Sequence, residues 1–198
     1  MLSTFFKSFP KYGALVAVLI EWLSVLGFYT LNPSNFSSQQ PLSYFATLPQ
    51  TRLVFSVCYA LAAISFWVFV QYHLSARYRT PTKMFTVSML GFAAMAIFPF
   101  SYDNPVSSTI HNLLALFFSS TFIIGIYLMA RRNSDQQLRI VSLVSAALSG
   151  ITLTGFLLMP KDSPYIFIFE ASSGFICELW MIWMSFHAFK RRGNILTD

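Results

Sequence analysis

Residues 53–74 read LVFSVCYALAAISFWVFVQYHL, and no Asp, Glu, Lys or Arg interrupts them. About 20 predominantly apolar residues suffice to carry a helix across the hydrocarbon core of a bilayer. The run shows no strand-like alternation and is too long for a barrel strand. A helix satisfies its own backbone polar groups, which is what lipid demands of any chain that crosses it.

Five similar runs flank this one, at residues 13–31, 84–100, 107–130, 138–159 and 165–189. Together they predict an all-α, polytopic bundle of six transmembrane helices. The spans and their short loops consume nearly all of the 198 residues, so a single membrane domain over residues 1–198 is expected. Composition agrees. The chain is 56% hydrophobic and only 10% charged, against about 25% charged in an ordinary soluble domain. Lys7 and Lys11 precede the first run like the start of a signal peptide. However, Glu21 interrupts the run and no small-x-small cleavage site follows, so a retained helix is expected.

The basic residues fix an orientation. Lys7 and Lys11 precede helix one; Arg77, Arg79 and Lys83 follow helix two; Arg131, Arg132 and Arg139 follow helix four; Lys190, Arg191 and Arg192 close the chain. The alternate loops carry little: Arg52 at a helix boundary, Asp103, and Lys161 beside Asp162. Positive loops face the cytoplasm. Both termini are therefore expected inside, in a multi-pass protein of the cell membrane. The net charge of +6 reads as lipid-phosphate anchoring rather than nucleic-acid binding. Cys58 and Cys177 lie inside apolar runs, where cysteine behaves as a small hydrophobe.

The first outer loop, residues 32–51, mixes Pro33, Pro41, Pro49, Ser37, Ser38 and Gln39 with Phe36, Leu42, Tyr44 and Phe45. A loop of that length is a lid or binding loop, or a cap packed on the bundle; Asn35-Phe36-Ser37 also fits a glycosylation acceptor. In helix five, Ser142, Ala146 and Gly150 recur every fourth residue with Ser145 and Ser149 alongside, a pattern that lets helices approach closely in lipid.

Three of the seven acidic residues, Glu21, Glu170 and Glu178, fall within spans. An ionisable group in hydrocarbon is costly unless paired, hydrogen-bonded or neutralised, and marks a functional position by default. Glu21 lies about 12 Å from the inner end of its helix and Glu178 about 20 Å from the outer end, so the two can meet near the midplane. No Lys or Arg lies there to pair with them, and such a carboxyl stays protonated. Proton carriage, hydrogen bonding to a ligand, and a merely structural bond between helices are all open.

A second group faces outward. Phe98-Pro99-Phe100-Ser101-Tyr102-Asp103 ends helix three, His111-Asn112 opens helix four, and Glu170 sits about one turn below the outer surface. If helix six packs beside that hairpin, Asp103, His111 and Glu170 converge. They would then bind a metal or perform acid–base chemistry on a lipid headgroup, with His111 as base, Asp103 as its orienter and Glu170 as acid. The alternative is an interfacial histidine and an N-capping Asp103 or Asn104. No HExxH-like ligand pair points to zinc. His73 and His187 share a depth, which permits axial haem ligation or simple interfacial placement, so metal and cofactor content stay unassigned. The tryptophans Trp22, Trp67, Trp180 and Trp183 are expected in the core rather than around a cation. No lysine lies at a helix centre, which excludes a retinal Schiff base.

The order FPFSYDNP (98–105) then HNLLAL (111–116), with NPSNFSSQQPLSYFA (32–46) after helix one, resembles the six-helix prokaryotic membrane-protein family catalogued as domain-of-unknown-function family 998. More distantly it is similar to DRAM/Frag-like membrane proteins. The resemblance covers nearly the whole chain and implies weak links to lipid handling but no activity. Its motifs imply Ser43, Pro99, Asp103, His111 and Asn112 as site positions.

Three functions compete at this level. The first is a membrane protein, whether binding or catalytic, with an outward pocket for a lipid headgroup or other small ligand, built from Asp103, His111 and Glu170 and lined by Asn112 and Ser43. The second is a non-catalytic scaffold or assembly partner. The third is a small proton-coupled transporter using Glu21 and Glu178, against which stands the lack of an inverted repeat or broken helix pair.

Overall fold

The computed structural model describes residues 2–31, 42–101, 103–160 and 163–195, with side chains over 9–31, 43–101, 103–160 and 163–187. Residues 32–41, Tyr102, Lys161 and Asp162 lie outside the described residues, and with them most of the first outer loop. The side chains of Lys7, Lys190, Arg191 and Arg192 also lie outside them.

Six helices form: α1 Leu2–Leu31, α2 Pro49–His73, α3 Arg79–Ile97, α4 Pro105–Arg131, α5 Gln136–Leu158 and α6 Ile166–Ile195. A short 3₁₀ turn, Leu42–Ala46, precedes α2. Five helices, all but α3, are long and apolar enough to cross a membrane. The chain is thus an all-α polytopic membrane protein. Its surface agrees, since large apolar side chains stand outward, Leu53 at 73% and Leu158 at 80% exposure. A soluble surface does not carry such residues in contiguous belts.

The helix ends have local causes. Proline opens α2 and α4, where its missing N–H costs nothing. Asn104 caps α4, its Oδ1 accepting from Ser107 N at 3.1 Å, and Asp135 caps α5, its Oδ1 accepting from Leu138 N at 3.2 Å. Of the two capping candidates in the sequence, Asn104 performs that role. α3 starts five residues earlier than its apolar run, because Pro81 falls in the first turn and is tolerated there. Arg79 and Lys83 thereby join the helix, which is why α3 alone misses the apolar criterion.

Each helix packs on its chain neighbours, and α6 returns to α1, closing a ring. α1 and α2 approach closely, and a Cβ on Gly13 would sit 2.3 Å from the Ser65 carbonyl oxygen. In the ring's centre Phe66, Phe85, Phe122 and Trp180 interlock, with Trp180 stacked on Phe85 at 5.4 Å and edge-on to Phe122 at 6.1 Å. Trp180 Nε1 donates to Ser142 Oγ at 2.9 Å, so the buried indole keeps its polar group satisfied.

Two packing expectations need correction. The small-residue seam of α5 consists of Ser142, Ser145, Ala146 and Ser149, all buried. Gly150 has drifted off it, and a Cβ there would meet nothing within 4 Å. Among the tryptophans only Trp180 is core, at 1% exposure; Trp22 and Trp67 are turned outward. Trp183 is half-buried and stacks on the His187 ring at 5.0 Å.

Candidate functional site

Glu21 on α1 and Glu178 on α6 meet across the closing seam of the ring, their carboxyls joined by a side-chain hydrogen bond. The indole N–H of Trp22 donates to Glu178 Oε2. Trp22 stacks on Phe175 with centroids 5.7 Å apart, and both rings are exposed. Of the six ring contacts the α1–α6 seam is the least extensive among the described residues. The pair is half-buried and flanked by aromatic rings at the lipid-facing side of that seam.

Tyr59 on α2 completes the group, within electrostatic reach of Glu21, Glu170 and Glu178. Glu21, Tyr59 and Glu178 lie ten to twelve residues from the ends of their helices at Leu31, Pro49 and Ile166, or about 15–18 Å at 1.5 Å per residue. Two carboxyls and a phenol from three helices therefore share one depth, with Glu170 eight residues nearer the outer end of α6. No Lys or Arg stands at that depth in the sequence. With no cation beside them, nothing there offsets the repulsion the two carboxyls would feel if both were charged.

An aromatic column leads from the first outer loop down to this group. Phe45 of the 3₁₀ turn stacks on Phe28 at 5.5 Å, Phe28 on Phe55 at 5.9 Å, and Phe55 on Tyr59 at 4.0 Å. Thr51 Oγ1 ties the turn to α2 by donating to the Phe45 carbonyl at 2.5 Å. The described part of the loop thus acts as a cap on α1 and α2. Ser43 is buried within it at 8% exposure.

The outward group is arranged differently. His111 is buried, and its Nδ1 lies 3.0 Å from the Phe98 carbonyl, with the Phe100 ring edge-on at 6.0 Å. The histidine thereby braces the turn between α3 and α4, helped by Ser107 Oγ donating to the Pro99 carbonyl at 2.9 Å. Asp103 and Asn112 are exposed. Helices α4 and α6 are separated around the ring by α5 and meet through Phe122 and Trp180, far below the level of Glu170. Among the described residues no three His, Cys, Asp or Glu side chains are grouped to hold a metal ion. His73 Nε2 faces the Lys11 carbonyl at 3.4 Å, whereas His187 Nε2 faces Asp135 Oδ2 at 3.4 Å. Each is committed to a different neighbour.

Tyr59 and Trp22 were not singled out with the carboxyls from sequence. Tyr59 has a readable signal, since it lies as far into its helix as Glu21 does into α1 from the same side.

Fold and site together define a polytopic helical membrane protein with carboxyl groups inside its spans. The chain belongs to the family described as protein of unknown function (DUF998), whose model matches residues 12–187. No curated protein and no solved structure matches it.

Proposed function

We propose that this protein is a small proton-coupled transporter whose working group is the Glu21–Glu178 pair. One observation carries the reading: α1 and α6 bring two carboxyls together at mid-depth, in the seam that is least extensive among the described residues, with no Lys or Arg at that depth in the sequence. A pair that holds a proton when empty can surrender it to a positively charged ligand. Trp22 and Phe175 stack beside the carboxyls and Tyr59 lies within their electrostatic reach, and aromatic rings suit the binding of organic cations. The substrate class that suits this setting is a lipophilic organic cation, entering between α1 and α6 and exchanging for protons.

The outward headgroup site draws less support. His111 is engaged with the Phe98 carbonyl, Asp103 stands in solvent, and Glu170 shares its field with Tyr59.

Reconstitution into proteoliposomes tests the proposal, with tetraphenylphosphonium as the probe and an imposed pH gradient as the drive. Gradient-dependent flux above protein-free vesicles, lost in Glu178→Gln and Glu21→Gln, is the expected result. Equal flux in the wild type and both variants rejects it. Infrared difference spectra between acidic and alkaline buffer give a second reading. A protonated-carboxyl band that Glu178→Gln removes supports the pair as a proton site, and its absence from the wild type overturns it.

A further inference from the structure

We infer that the cleft between the C-terminal end of α2 and the start of α3 is a phosphate-binding site. The cleft has a volume of about 350 Å³ and is lined by Gln71, Ser75, Arg79, Thr82, Lys83 and Thr86. Arg79 and Lys83 stand exposed on its rim. No acidic residue occurs anywhere between Glu21 and Asp103 in the sequence, and among the described residues neither cation forms an ion pair. Their charge is therefore not cancelled from within the α2–α3 hairpin.

The inner wall supplies the second observation. Thr82 is 6% exposed, yet its Oγ1 has no hydrogen-bond partner. Buried hydroxyls are normally satisfied, and an orphan asks what it is meant to bond. Thr82 lies in the first turn of a 19-residue helix, where the positive end of the backbone dipole adds to the two cations. Thr86 Oγ1 accepts from Gln71 Nε2 at 2.9 Å, which leaves its own proton to donate. Arg132 Nη1 bonds Thr80 Oγ1 at 2.7 Å and brings a third cation to the same helix start.

Taken together the cleft offers guanidinium, ammonium and hydroxyl donors and no carboxylate. That is the complement of a tetrahedral oxyanion: Arg grips phosphate through its planar fork, Lys as a point charge. The orphan hydroxyl, closed off from solvent as the side chain stands, would donate to one phosphate oxygen on turning toward the cleft. The site lies at the end predicted to face the cytoplasm, so the phosphate belongs either to a phospholipid headgroup of that leaflet or to a soluble phosphate compound.

Two arms separate these sources, both with the full chain in nanodiscs. In the first, phosphatidylcholine discs containing a minor share of phosphatidylglycerol are analysed by native mass spectrometry for retained anionic lipid. In the second, inorganic phosphate is titrated in pure phosphatidylcholine discs and thermal unfolding is followed. Preferential retention in the first arm supports a headgroup, and a saturable shift in the second supports free phosphate. Arg79→Gln/Lys83→Gln should weaken the positive arm about tenfold. Arg131→Gln/Arg139→Gln, which removes equal charge at the same end, should leave it unchanged. Thr82→Val should weaken binding while leaving Tm in phosphatidylcholine unchanged or raised, since it removes an unpaired polar group. Neither arm responding, equal loss in both double variants, or a Thr82→Val that binds normally would each overturn the site.

Discussion

The Trp22 indole donates its N–H to the Glu178 carboxylate, joining the first helix of the ring to the last. Ring closure is thus a polar contact laid over a thin apolar seam. Replacing Trp22 by Phe keeps the stack on Phe175 but removes the donor. A loss of about 1 kcal/mol is expected, read as a lower Tm in detergent, whereas Trp67→Phe, whose indole is turned outward, should change little.

Trp180 is the keystone of the centre. Trp180→Ala should cost about 3–5 kcal/mol, because it opens a cavity among Phe85 and Phe122 that rigid helices cannot refill. Ser142→Ala leaves the indole N–H buried without an acceptor and should cost about 1–3 kcal/mol. Denaturant titration in detergent orders the two.

Gly13 permits a close approach of α1 to the backbone of α2. Gly13→Ala would place a methyl group 2.3 Å from the Ser65 carbonyl oxygen. Backbone cannot yield as a side-chain tip does, so α1 must tilt from α2. A penalty of about 1–3 kcal/mol is expected. Gly150→Ala, which meets open space, should be neutral or slightly stabilising because alanine favours the helix. Comparison of the two melting curves checks this.

His111 braces the α3–α4 turn. His111→Ala should destabilise the fold by about 1–3 kcal/mol through the bare Phe98 carbonyl and the space left behind. Under the proposed function, proton-driven flux of the surviving folded protein should match wild type. A selective loss of flux in well-folded protein would instead restore this histidine as a working residue.

The asymmetry of the basic residues predicts an orientation for the ring. In a background with Cys58 and Cys177 replaced, a cysteine at Asn104 should react with an impermeant maleimide on intact cells. One at Ser134 should react only after permeabilisation. Both positions are exposed, so reactivity reports sidedness rather than burial.

Hydropathy made the helices readable because the bilayer allows few alternatives. The meeting of Glu21 and Glu178 was readable for the same reason, since depth follows from rise per residue and few solutions relieve a stranded carboxyl. Lateral placement was not readable. Nothing in the sequence says that α5 stands between α4 and α6, so the grouping of Glu170 with His111 had no geometric constraint behind it. Nor could periodicity tell that Gly150 had rotated off its seam, because a four-residue spacing drifts about 40° per step against a helix of 3.6 residues per turn.

Closure by α6 has a consequence for biogenesis. A ribosome delivers α1 early and α6 after the other five helices, so Glu21 waits in the bilayer or the insertion channel while its partner is still being translated. During that interval the newborn chain carries an acid group that only protonation or a chaperoning contact can shelter. Assembly of this protein should therefore be most vulnerable just before α6 inserts, and quality-control proteases would find their substrate there.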